Sequence, residues 1–144
     1  MKKTLLLLVL MIFIPASQLQ AEDNRQLVQM PDRMKNHMLS NMRDHLLALQ
    51  EISGALAKHE YEKAADTAEQ RLGMSSLKSH GASHMARVMP KQMAEIGTNM
   101  HKAASRFAVS ARDAEVDGSL DKALSALSDV MEQCVACHAG YRVH

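Results

Sequence analysis

The chain is 144 residues long, carries 17 basic and 16 acidic residues, and is only 3% aromatic with no tryptophan. Its length suits one domain. Near-neutral charge without a clustered basic face excludes the electrostatic footprint of a nucleic-acid binder, and no run of like charge marks an acidic or basic tail.

The first 21 residues read as a secretory signal peptide. Lys2 and Lys3 form a short basic start, and Leu5 to Ile14 is an unbroken apolar run too short to span a bilayer. Pro15, Ala16 and a small-residue exit at Ala21 follow. The mature domain is then expected to be residues 22–144, exported to a bacterial periplasm, with no membrane span after cleavage. Loss of Lys2 and Lys3 turns a formal charge of +1 into −1.

The mature region is rich in Ala, Leu, Met, Glu, Lys and Gln, all good helix formers. Alternation of β-branched residues is nowhere sustained. Four helical segments follow from periodicity and punctuation. The first starts near Pro31, placed at the first helical position, and runs to about Ala57. Met38, Met42, His45, Leu49, Ile52 and Leu56 make its inward stripe, widened by Leu39 and Leu46. The second spans Tyr61 to Leu72 and stops at Gly73. Residues 74–89 read as a long connection with room for one short helix. The third begins at Pro90 and buries Met93, Ile96, Met100, Ala103 or Ala104, Phe107 and Ala111, before Asp117-Gly118 breaks it. Ser119 is placed to cap the fourth, whose inward stripe is Leu120, Leu124, Leu127, Met131, Cys134, His138 and Tyr141. The expected fold is all-α, an antiparallel four-helix bundle.

Such a core would ordinarily hold more large rings than Tyr61, Tyr141 and Phe107. Either methionine and leucine fill the space, or a group that the sequence does not encode does so.

Cys134-Val135-Ala136-Cys137-His138 is C-x-x-C-H, the attachment signature of c-type haem. Cysteines three apart lie about one helical turn apart, so both can join one edge of a porphyrin. The adjacent histidine then reaches the iron from the proximal side. A disulfide is chemically available in an oxidising compartment. A thioredoxin-like pair belongs beside a βαβ pattern, which is absent, and zinc would need further ligands at recognisable spacing. One covalently bound haem c is the expected cofactor.

Residues 134–142, CVACHAGYR, resemble the C-terminal motif of the class II cytochromes c, the cytochrome c prime family. The resemblance implies a four-helix bundle with haem on the last helix, and Tyr141 and Arg142 stand where the family carries an aromatic and a basic residue. It also implies that the sixth iron position faces the first helix. There the family has an arginine and, four residues on, the residue over the iron; this chain has Arg33 and His37. Met38, on the apolar stripe, is the leading distal candidate, with His37 the alternate. Arg33 is a candidate partner for a haem propionate. A homodimer through the first helices is also compatible with the resemblance.

The expected role is single-electron transfer between redox partner proteins, without enzymatic turnover. A five-coordinate haem that binds NO or CO is a second reading. A third is a copper-handling protein, because soft thioethers and imidazoles suit copper(I). His80 and His84, four apart and followed by Met85, carry that reading. His45 reads as a satisfied core histidine, and His59 and His101 as surface residues.

Overall fold

The computed structural model of the protein describes residues 22–144; the signal peptide read over 1–21 lies outside the described residues. In chain order the elements are β1 (Gln26–Leu27), α1 (Asp32–Leu56), α2 (Tyr61–Arg71), a 3-10 turn (Met74–Ser76), α3 (Ala82–Met85), α4 (Lys91–Asp117), α5 (Leu120–Gly140) and β2 (Tyr141–Arg142). The described chain is therefore all-α apart from two very short strands. No helix among the described residues is long and apolar enough to cross a membrane.

Two prolines start the long helices. Pro31 and Pro90 hold φ at −56° and −52° with extended ψ, and each sits just outside its helix. A proline has no N–H to donate but keeps its carbonyl. The Pro31 carbonyl accepts the N–H groups of Met34 and Lys35 at 2.9 Å, and that of Pro90 accepts Ala94 N–H at 3.0 Å. Both prolines thus cap rather than begin their helices, one place earlier than expected. Gly118 ends α4 at φ 72°, a left-handed conformation that glycine enters without a Cβ penalty. Ser119 caps α5 with its carbonyl, which accepts Lys122 and Ala123 N–H at 3.1 and 3.3 Å, and not with its side chain. Its N–H and hydroxyl both go to the Asp117 carboxylate, the N–H at 2.8 Å, and close the turn.

The inward face of α1 follows the expected stripe: Met38, His45, Ile52 and Leu56 are buried and Met42 and Leu49 half-buried. Leu46, however, is 70% exposed. On α4 the buried face is Met93, Met100, Ala103, Ala104, Phe107 and Ala111 as expected, joined by His101. On α5 the expected stripe is rotated. Leu124 and Met131 are exposed, and Ala123, Leu127 and Val130 are buried. The spacing from 123 to 127, 130, 134 and 137 is a helical stripe in its own right. It wins because α4 offers α5 a surface of alanines, which the smaller face fits more closely.

α4 packs on α2 and on α5, and α2 packs on α1. Their shared core centres on Phe107, Ile52 and Leu72 and is otherwise largely alanine. Alanine costs no side-chain entropy and lets helix axes approach. α1 makes no comparable close backbone approach to α4 or α5. A cleft lined by longer side chains separates them.

The two ends of the described residues meet beside that cleft. β1 pairs in parallel with β2, Gln26 against Tyr141 and Leu27 against Arg142. Val28 N–H donates to the Arg142 carbonyl at 2.8 Å, and Val28 is buried. Asp23 ion-pairs with Arg25 at 2.8 Å and approaches Arg142 at 3.6 Å. The Arg25 guanidinium beside it holds the Asp23 carboxyl well below the usual carboxylate range. Nothing in the local sequence announces this pairing, because the partners lie at opposite ends of the domain.

Candidate functional site

The last two turns of α5 carry Cys134, Cys137 and His138 to the cleft. Both thiols are free and half-buried. Burial pushes the Cys134 thiol up, and burial together with its neighbour Cys134 does the same to Cys137. Neither is an activated thiolate of the kind redox catalysis needs. Cys134 Sγ donates weakly to the Val130 carbonyl at 3.6 Å, one turn back. His138 is exposed at the rim, and its backbone carbonyl accepts Arg25 Nη1 at 3.4 Å.

Three adjoining cavities make up the cleft. One of about 220 Å³ lies between Met42, His45 and Leu49 of α1, Met100 of α4, and Cys134, Cys137 and His138. A second of about 300 Å³ opens towards Met38, Met93, Tyr141 and the chain end. A third of about 160 Å³ reaches inwards to His80 and His101. Met42 and Cys137 line all three. The walls are mostly apolar, as a cofactor site requires. Gly97 of α4 lines two of the cavities. A Cβ built there meets nothing within 4 Å. Glycine inside a helix costs about 1 kcal/mol relative to alanine, and protein packing gives no reason for it here.

Met38 is buried and stands on the cleft opposite Cys137, in a cluster with Met85, Met93 and Val28. His37 faces elsewhere. Its Nε2 donates to the His80 carbonyl at 3.1 Å, and with Arg33 and His84 it lines a separate cavity of about 620 Å³. Arg33 and His37 are therefore grouped together, and the thiols are grouped with Met38 and Met42. His80 and His84 are not a pair on one helix face. Gly81 between them takes a left-handed φ of 63° and starts α3, so His80 points inwards while His84 is exposed.

His80 instead meets two histidines that spacing alone does not connect. His45 of α1 lies with its ring centre 4.8 Å from that of His80, and His101 of α4 lies 5.3 Å from His80 and 6.3 Å from His45. His45 and His101 are each 8% exposed. Burial, reinforced by the charge each ring would place on the others, pushes His45 down to about 4. Burial lowers His80 and His101 too. Beside them Asp44 is tied to Arg71, whose guanidinium lowers its carboxyl. The missed signal for His101 was its place with Gly97, Ala104 and Ala108, which widen the apolar face of α4. Among the described residues, no three histidine, cysteine, aspartate or glutamate side chains stand ready around one metal-binding point.

The site rests on these residues alone, since the chain matches no protein-family model, no curated protein and no solved structure.

Proposed function

We propose that the protein is a periplasmic monohaem c-type cytochrome of the class II kind, a four-helix bundle of α1, α2, α4 and α5 that carries single electrons between redox partner proteins. The observation that carries this reading is that both thiols of the C-x-x-C-H motif face one continuous, mostly apolar cleft. The fit is supported from the protein side as well. The thiols are unpaired, the opposing wall is made of methionine and leucine, and Gly97 keeps room that no protein atom uses.

Cys134 and Cys137 would hold the haem by two thioether bonds, with His138 as proximal ligand. When bound, the haem supplies reversible one-electron chemistry. Met38 remains the leading distal candidate, because it is buried on the wall facing Cys137. The methionine lining there favours a closed, six-coordinate site over an open one that binds NO or CO. Arg33 and His37 belong to the neighbouring cavity, so their roles as propionate partner and alternate ligand have less geometric support. The ends of the described residues, pinned together by β1 and β2, hold the residues after His138 in place. No enzymatic turnover is assigned.

Intact-mass measurement of protein exported from cells with c-type maturation machinery tests the reading. The expected mass is that of residues 22–144 plus one haem, and Cys134→Ala or Cys137→Ala should give incompletely attached haem. Bare polypeptide with free or mutually bridged thiols would overturn it. Loss of a near-infrared methionine–iron band in Met38→Ala would establish the distal ligand.

A further inference from the structure

His45 of α1, His80 of the connection before α3 and His101 of α4 share one cavity. The outward bonds of His80 and His101 fix what their inner nitrogens present. His101 Nδ1 donates to the Leu72 carbonyl at 2.7 Å, which leaves Nε2 with a lone pair. Ser76 spends its hydroxyl proton on the Gly73 carbonyl at 2.7 Å, so its oxygen accepts from His80 Nδ1 at 3.3 Å. His80 Nε2 is therefore a lone-pair nitrogen as well. His45 Nε2 is buried and has no hydrogen-bond partner at all. A buried polar atom without a partner is costly unless something uses it. Imidazoles whose far nitrogens are tied to a carbonyl or hydroxyl are oriented as metal-binding histidines commonly are.

Two imidazoles sharing one ion through bonds of about 2.0 Å have ring centres roughly 5 to 6 Å apart. The His80–His101 separation of 5.3 Å falls in that range, and the 4.8 Å and 6.3 Å separations from His45 lie just below and just above it. The same cavity is lined by the thioethers of Met42, Met85 and Met100. Zinc prefers four fixed donors, and no three ready ligands of the usual kinds converge among the described residues. A soft monovalent ion asks for fewer and accepts thioether sulfur.

We infer that this cavity binds one copper(I) ion through imidazole nitrogens of the His45, His80 and His101 cluster, helped by a methionine thioether. The site adjoins the C-x-x-C-H attachment point, since Cys137 lines the same cavity, but it uses none of the residues assigned to the haem and does not rest on that reading. Burial keeps the rings unprotonated at neutral pH, so binding displaces no proton from them and involves no electron transfer.

The test is an anaerobic titration of the exported, reduced protein with copper(I) against a chromogenic copper(I) chelator, with the haem spectrum followed in parallel. The wild type should withhold one equivalent per chain without a change in the haem bands. His45→Leu should withhold none and keep its helical circular dichroism, because His45 Nε2 bonds nothing that the leucine would orphan. His80→Asn, on a half-exposed connection, should likewise lose the ion. Failure of the wild type to withhold copper overturns the inference. So does retention of the full equivalent by both variants. A shift of the haem bands in His45→Leu with copper binding intact would also overturn it, by assigning His45 to the iron. Protein that carries no haem would refute the cytochrome reading alone; its titration is then run with Cys134 and Cys137 alkylated, because a free thiol pair binds copper(I) itself.

Discussion

Around Phe107 the helices meet through alanine; around Cys137 they meet through methionine. The first half contains Ala64, Ala65, Ala68, Ala104 and Ala111, all fully buried against Phe107, Ile52 and Leu72. Its side chains are too small to leave gaps, and α2 and α4 come close. The second half gathers Met38, Met85 and Met93, with Met30, Met34, Met42 and Met89 partly buried around them. Methionine is flexible and fills irregular space without fixing it. The alanine half therefore specifies the fold, and the methionine half leaves a cleft that can admit a large apolar group. Both candidate sites lie in or beside the slack half.

That contrast can be broken by mutation, and the largest effect belongs to the tight half. Phe107→Ala removes the largest fully buried side chain and should cost about 3 to 5 kcal/mol in chemical denaturation. A loss near 1 kcal/mol would mean that the alanine half is looser than its burial suggests.

Acid should act on the slack half. In metal-free protein His45 titrates at about 4 when folded against 6.5 when unfolded. Between those values the unfolded chain takes the proton and the folded one refuses it. Stability is full above pH 6.5 and falls as the pH drops, with about 3 kcal/mol lost by pH 4. His80 and His101 shift in the same direction and add to the slope. Denaturation midpoints across that range should flatten in His45→Leu; an unchanged slope would place the titration elsewhere.

Overpacking sharpens the same comparison. Ala104→Leu, at a position with no exposure, should cost about 1 to 3 kcal/mol. Gly97→Ala faces the cleft instead and should stabilise the haem-free polypeptide by about 1 kcal/mol. If Gly97→Ala destabilised that polypeptide, the room beside α4 would not be free. Surface pairs should matter least in either half. Arg112 bridges Glu62 and Asp66 across α2 and α4, but all three are exposed, so Arg112→Ala should cost under about 1 kcal/mol. A larger value by thermal melting would show that the pair clamps the two helices.

The helices were legible because their signals are local. Pro31, Pro90 and Gly118 punctuate the chain within a residue of the observed ends. The inward stripe of α1 is carried by its own periodicity. The α5 stripe is not legible in the sequence because Leu124 and Met131 are more apolar than Ala123, and hydrophobicity by itself does not reveal that an alanine surface waits on α4. The C-x-x-C-H run was equally local, since a turn of helix is enough to set two thiols side by side. The pairing of β1 with β2 and the meeting of His45, His80 and His101 were not legible. Their partners are far apart in sequence, and only the folding of α1 and the middle connection onto α4 brings them within reach.

The sequence by itself determined where helices begin and end and that two thiols and a histidine share the end of the last one, because such features depend on neighbours within a few residues. Tertiary structure alone decided which face of α5 is buried, that a cleft separates α1 from α4 and α5, and that three distant imidazoles gather at one cavity. Those outcomes depend on how surfaces of different size and shape fit when helices meet, and no single helix carries that information.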